Sequence, residues 1–146
     1  MHNIDKIRLK AFRSQAREMQ LLLETIAAMR ATVGAKITNA NGDIGGGGQP
    51  DGTDTERTVE KIIALEQKYN SKRRSYVEER LIIEDALNIL EPNERALIRL
   101  YYFDLHTWEE TAERLHYSYQ HIHRLHASAL SKLKGESGEC SSSSEL

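Results

Sequence analysis

The chain has 146 residues, of which 39% are hydrophobic and 29% are charged, and its formal net charge is −2 at pH 7. This composition is typical of a helical protein and not of a disordered one, and it gives no global signal for nucleic-acid binding, so any basic surface must be local. The single cysteine, Cys140, excludes a disulfide framework and a cysteine-based zinc site within one chain. No stretch approaches 18 apolar residues and the first residues do not resemble a signal peptide, so we expect a cytoplasmic protein without membrane association.

The first predicted element is a long amphipathic helix over about residues 4–33. Its apolar side chains recur in steps of three and four that are broken only at Arg30, namely Leu9, Phe12, Ala16, Met19, Leu23, Ile26 and Val33. Such a heptad seam is typical of a helix that packs along a partner helix. Leu21 and Leu22 lie partly off the seam and widen the apolar face.

A glycine-rich segment, residues 34–54, follows this helix and is predicted to be a flexible loop. It contains the run from Gly45 to Gly48 and also Pro50, which disfavour a regular helix. A phosphate-binding loop would need Gly-Lys-Ser/Thr at the start of a helix that follows a strand, and both the lysine and the strand are missing. We therefore expect no nucleotide and no other cofactor here.

The second long helix is predicted over about residues 55–90. Its apolar stripe is interrupted by Lys72 and Glu79 and consists of Ile62, Leu65, Tyr69, Tyr76, Ile83, Leu87 and Leu90. Because the two helices have similar lengths and a flexible connection, residues 1–90 are expected to fold into a long antiparallel, coiled-coil-like hairpin. Leu21, Leu22 and Ile63 would stay uncovered on its flanks, so we expect this region to form a homodimer.

Residues 91–134 predict three shorter helices, at about 93–103, 107–115 and 118–134. Pro92 ends the preceding helix, Thr107 and Glu110 form a capping box, and Ser118 is a favourable N-cap. The side chains predicted to face inward are Leu97, Leu100, Tyr101, Trp108, Ala112, Leu115, Ile122, Leu125, Ala129 and Leu133, with Ile98 as a further candidate. The polar tail, residues 135–146, is predicted to be disordered.

The second and third of these helices have the spacing of a helix-turn-helix. Ala112 provides a small side chain at the helix crossing, and Ile122 and Leu125 follow it by ten and thirteen residues. Polar side chains at the start of the third helix would then project into the major groove of double-stranded DNA. The predicted DNA-binding residues are Ser118, Tyr119, Gln120, His123, Arg124 and Lys132. The absence of acidic residues from position 114 to position 134 favours a phosphate-facing surface.

These segments together resemble region 4 of the sigma-70 family. The matching residues are LEPNERALI at 90–98, the tyrosine pair at 101–102, TWEETAERL at 107–115, Ser118, and ALSKL at 129–133. The resemblance implies binding to promoter −35 DNA and contact with the flap of RNA polymerase. The whole chain, with its two coils and glycine-rich loop, is similar to small phage and prophage regulators of late operons of the ArpU and RinA type.

Two positions depart from the family pattern. Thr111 stands where the family usually has isoleucine or valine, and His116 stands where the turn often has glycine. A left-handed backbone at His116 is tolerable, although it suits glycine better.

Two other functions are compatible with the sequence. A DNA-packaging protein like a small terminase subunit also couples a helix-turn-helix to an oligomerising hairpin, but there the DNA-binding module generally comes first. A protein-only adaptor would use the same three helices without DNA. His123 and His126 could share a helix face, but they lack a third ligand, so no metal site is expected. No nucleophile with its base is evident, so we do not expect an enzyme.

Overall fold

The computed structural model of the protein describes residues 3–42 and 52–135, with side chains for 3–35 and 54–135. These residues contain five α-helices, which are α1 (Lys6–Gly42), α2 (Gly52–Ala86), α3 (Pro92–Ile98), α4 (Trp108–Leu115) and α5 (Tyr119–Leu133). A 3-10 turn, Leu87–Ile89, follows α2, and a π-helical turn, Arg99–Phe103, follows α3. The described ranges contain no strand, and the predicted all-α architecture of a long hairpin followed by short helices is confirmed.

The chain divides into two compact units. Unit 1 consists of residues 1–17 together with 76–146, and unit 2 consists of residues 18–75. Each long helix therefore contributes residues to both units, whereas the sequence places the division between residues 90 and 91. No helix in the described ranges has the length and apolar character needed to cross a membrane.

Unit 2 consists of the part of α1 after Arg17 and the part of α2 before Tyr76. Met19, Ile26 and Ile62 are its buried apolar residues. Lys72, which interrupts the apolar stripe of α2, places its Nζ 2.5 Å from Glu18 Oε1 on α1. This ion pair explains how a charged residue is accommodated in the stripe.

The heptad seam of α1 departs from the prediction at Leu23. That residue is 47% exposed, while the neighbouring Leu22 is half-buried. After Met19, the next inward-facing residue is therefore Leu22, three positions later, and the one after it is Ile26, four positions further on. A side chain placed one residue further along a helix turns by about 100°, which moves Leu23 toward solvent.

The predicted loop over residues 34–54 is too long at both ends. Helix α1 continues through Gly34 to Gly42, and α2 already begins at Gly52. A single glycine costs a helix only about 1 kcal/mol relative to alanine, and the residues after Gly34 are not helix breakers. The Gly45–Gly48 run and the tail from residue 136 lie outside the described residues.

Unit 1 has a shared core to which both long helices contribute. Its buried residues are Ile4, Leu9, Phe12, Ile83, Leu87, Leu90, Leu97, Ile98, Tyr102, Phe103, Ala112, Ile122, Ala129 and Leu133. The ring of Phe12 stacks on Tyr76 at 4.9 Å and meets the edge of Phe103 at 5.1 Å. Arg8 on α1 also pairs with Glu79 on α2, with Nη2 3.0 Å from Oε2. The first turns of α1 are therefore part of the same folded unit as the short helices.

Hydrogen bonds from the Arg95 side chain to backbone carbonyl oxygens fix the connection from α2 to α3. Pro92 is the first residue of α3. An N–H at this position has no hydrogen-bond partner inside the helix, so the missing N–H of proline costs no helical hydrogen bond. Arg95 donates to the carbonyl oxygens of Leu87, at 3.3 Å, and Leu90, at 3.0 Å. The predicted helix over 93–103 is thus observed as α3 plus the π-helical turn, in which the Asp104 N–H donates to the Arg99 carbonyl.

Candidate nucleic-acid interface

The first helix of the helix-turn-helix, α4, begins at the predicted capping box. Thr107 Oγ1 accepts a hydrogen bond from the Glu110 N–H at 3.1 Å, and the Glu110 carboxylate accepts one from the Thr107 N–H at 3.0 Å. This backbone hydrogen bond, with one from His106, lowers the pKa of Glu110. The cap satisfies N–H groups that have no partner inside the helix and so fixes where α4 starts.

A left-handed residue ends α4 and turns the chain. His116 has φ 59° and ψ 39°, as expected for a position that often holds glycine. The N–H of Tyr117 donates to the Ala112 carbonyl at 3.0 Å, and the N–H of His116 donates to the Glu113 carbonyl at 3.2 Å. This is a Schellman-type helix end, which allows α5 to start after only three intervening residues.

The crossing of α4 and α5 is closely packed. Ala112 is 6% exposed, and Ile122 and Thr111 are fully buried. Thr111 departs from the apolar family pattern, but its hydroxyl donates to the Thr107 carbonyl at 2.8 Å. The polar atom is therefore satisfied, and its burial carries no unpaired-group penalty.

The start of α5 presents a polar surface to solvent. Ser118 is exposed and caps the helix by accepting from the His121 N–H at 3.1 Å. Tyr119 is 50% exposed, and Gln120 and Arg124 are exposed four residues apart on one helix face. These four residues, which the sequence also selected, are brought together at one end of α5.

His123 occupies the border between this exposed surface and the core. Its ring is half-buried, 4.5 Å from the ring of Tyr119 and 5.0 Å from that of Trp108. Contact with both aromatic rings restricts the rotation of the His123 ring.

Lys132 lies apart from the other predicted DNA-binding residues. Its Nζ is 2.7 Å from Oε1 of Glu94, whose side chain is almost fully buried. The same carboxylate accepts hydrogen bonds from Ser128 Oγ and from the Glu91 N–H. Burial alone raises the pKa of Glu94, but the hydrogen bonds, above all that from Lys132, outweigh it and hold the pKa below its usual range. The ammonium of Lys132 thus serves to neutralise a buried carboxylate.

An aromatic cluster packs against α5; the sequence predicted that Tyr101 and Trp108 face inward, but it did not predict that His126 joins them. His126 and Tyr102 share a 2.7 Å hydrogen bond, and Trp108 stacks on Tyr101 with ring centroids 3.8 Å apart. Burial lowers the pKa of His126 to about 4 and raises that of Tyr102. The position of His126 within the apolar series of Ile122 and Ala129 is the signal that could have identified it as a core residue.

The histidines of α5 therefore have different environments. His121 is exposed beside the ring of Tyr117, whereas His126 is buried. In the described part of the chain, no three His, Cys, Asp or Glu side chains are placed to hold a metal ion.

The helix-turn-helix region matches a known protein family in sequence. Residues 86–135 match the family Sigma-70, region 4. The RNA polymerase sigma-B factor of Bacillus anthracis is 32% identical over 84 residues, which cover 58% of this chain. The chain spans only 30% of the length of that relative. No solved structure matches the chain. Residues 86–135 are thus a sigma region 4-like helix-turn-helix, which is a DNA-binding domain.

Proposed function

We propose that this protein is a sequence-specific transcription regulator that reads the DNA major groove with the start of α5. The observation that carries this proposal is the exposed pair Gln120 and Arg124 on a helix held by the left-handed turn at His116. Glutamine can bind adenine edges and arginine can bind guanine edges through paired hydrogen bonds. Ser118, Tyr119 and His123 would complete the contact surface. Lys132 is assigned no DNA contact, and its ion pair with Glu94 would only position α5.

Alanine substitution of the two reading residues tests this assignment. Gln120→Ala and Arg124→Ala should each weaken binding to a selected target by about 1–3 kcal/mol, the value of one bidentate base contact. Binding to unrelated DNA should change much less, since base contacts carry the sequence preference. Gln67→Ala and Arg73→Ala, exposed residues of α2, serve as matched controls. Equal affinity of wild type and both α5 variants for the target would contradict the assignment.

We further propose that the regulator is of the phage or prophage type, acts in the bacterial cytoplasm, and contacts RNA polymerase. The polymerase contact is supported by the match to sigma region 4 and to a sigma factor. The phage assignment rests on the resemblance of the whole chain, with its two coils and glycine-rich segment. Co-purification of RNA polymerase with the tagged full-length chain tests the contact, and wild-type recovery after deletion of the polymerase flap would contradict it.

Homodimerisation through the hairpin is part of the same proposal. Leu21 is 54% exposed and Ile63 is 48% exposed, so both of these apolar side chains are left for a partner to cover. A two-fold partner would also present two recognition helices to a two-part operator.

Light scattering on the full chain measures the oligomeric state directly. The dimer should be lost in the Leu21→Glu variant, while Gln20→Glu, at a neighbouring exposed position, should leave it intact. A monomer at tens of micromolar would contradict the dimer. A ring of eight or more subunits would instead favour a DNA-packaging function, and a chain without salt-sensitive DNA binding would favour a protein-only adaptor.

A further inference from the structure

The first turns of α1 carry a stripe of basic residues. Lys6, Lys10, Arg13 and Arg17 follow one another in steps of four, three and four, so they lie along one face of the helix. We call these four residues the α1 basic stripe. It runs beside the buried positions Leu9 and Phe12, which anchor this part of α1 in the core of unit 1.

One member of the stripe fixes its position relative to the helix-turn-helix. The guanidinium of Arg13 lies 4.3 Å from the ring centroid of Tyr101 and donates to the carbonyl oxygens of Tyr101, at 2.9 Å, and His106, at 3.3 Å. Tyr101 stacks on Trp108, and Trp108 contacts His123 of α5. An unbroken series of ring contacts therefore joins the α1 basic stripe to the border of the recognition surface.

The other members of the stripe have charges available for a ligand. Lys6, Lys10 and Arg17 are exposed, and none of them has an ion pair within residues 3–42 and 52–135. By contrast, Arg8, on the other flank of α1, is paired with Glu79. Lys10 and Lys6 precede Arg13 by about one and two helical turns on the same face of α1, so they extend the stripe from the residue that contacts Tyr101.

We propose that Lys6 and Lys10, with Arg17, bind the phosphate backbone of the DNA whose bases are read by α5. The occupant is double-stranded DNA because Lys6, Lys10 and Arg17 are positive, have no ion pair in the described part of the chain, and share a helix face with Arg13, which is joined to the recognition surface. The inference rests on the proposed DNA-binding function, but it assigns part of the binding energy to α1, which lies outside the sigma region 4-like segment. Phosphate contacts add affinity and fix the register of the protein on DNA without selecting sequence.

The salt dependence of DNA binding by the full chain tests this inference. Lys6→Gln/Lys10→Gln should reduce the slope of log affinity against log salt by about 1.8, since each phosphate contact contributes about 0.9. The affinity gap between wild type and this variant should then shrink about tenfold between 50 and 200 mM salt. The change should be equal for the target and a scrambled sequence. Lys61→Gln/Lys68→Gln, in unit 2, is the charge-matched control, and Lys6→Arg/Lys10→Arg should keep the wild-type slope.

The outcomes separate this inference from the proposed function. If wild type binds its target and the lysine-to-glutamine pair keeps the wild-type slope, the α1 contact is wrong and the function of α5 stands. The same holds if the control pair in unit 2 loses as much slope. If wild type shows no salt-sensitive DNA binding at all, both the proposed function and the α1 contact are overturned. Circular dichroism of each variant verifies that helicity is unchanged.

Discussion

The buried imidazole of His126 should make unit 1 sensitive to mild acid. Its pKa is about 4 in the folded protein, chiefly because of burial, whereas an unfolded histidine has a pKa of about 6.5. Between these two values the unfolded state binds more protons than the folded state, so stability falls as the pH falls. The contribution of neutral His126 to the free energy of unfolding is fully present above about pH 6.5. The decline of stability with falling pH ends below about pH 4.

The size of this effect follows from the two pKa values. Integrating the linkage from pH 7 to pH 5 gives a loss of about 2 kcal/mol, and solvent screening reduces it to about 1–2 kcal/mol. The carboxylates whose pKa lies below the usual range, Glu18, Glu94 and Glu110, lose their contributions only at lower pH. The interval from pH 7 to pH 5 therefore excludes the contributions of these three carboxylates.

Urea unfolding followed by tryptophan fluorescence measures this loss. The single tryptophan, Trp108, has its ring 4.7 Å from that of His126, so its emission reports on this part of the core. The double variant His126→Leu/Tyr102→Phe removes both partners of the buried hydrogen bond, and its stability should be nearly constant over the interval. His121→Gln, at an exposed position of α5, should keep the wild-type decline. A wild type with constant stability from pH 7 to pH 5, or a double variant with an undiminished decline, would refute the reasoning.

Three further changes test the helix-turn-helix. Ala112→Leu should destabilise unit 1 by about 1–3 kcal/mol in urea unfolding, because the crossing has no room for the larger side chain; an unchanged midpoint would show that the crossing is loose. His116→Gly should preserve or raise the melting temperature, since glycine relieves the left-handed backbone, whereas His116→Val should lower it; a destabilised glycine variant would contradict this. Thr107→Ala should cost about 1 kcal/mol through loss of the N-cap, and Glu109→Ala, which is exposed in the same turn, should cost less.

The sequence predicted the short helices better than the long ones because local signals mark their ends. Thr107 and Ser118 are capping residues, and each one lies immediately before the observed start of its helix. The left-handed turn at His116 was recognisable from the family pattern. The ends of α1 and α2 have no comparable signals, since Gly34 does not end a helix and Gly52 does not prevent one.

The contacts that support the recognition surface were not predictable from spacing alone. The sequence suggested only a metal-ligand role for His126, because its buried partner Tyr102 is 24 positions away in the sequence. The pairing of Lys132 with Glu94 joins α5 to α3 and likewise depends on how the helices pack. The placement of Arg13 on Tyr101 required the fold, since the two residues are separated by 88 positions.

Unit 1 consists of two segments, residues 1–17 and 76–146, that are far apart in the sequence. This separation constrains the order in which the chain can fold. During synthesis, Ile4, Leu9 and Phe12 emerge first, but their core partners, such as Leu97 and Ile122, are the last part of the unit to leave the ribosome. Closing contacts between such distant segments is slow, and unpaired apolar residues promote aggregation until it is complete. A fragment restricted to residues 91–134 would lack these partners permanently, so it would expose apolar surface that the full chain covers. The two helical segments of unit 2 are neighbours in the sequence, so unit 2 can form earlier. Its formation then reduces the number of conformations that the rest of the chain must search.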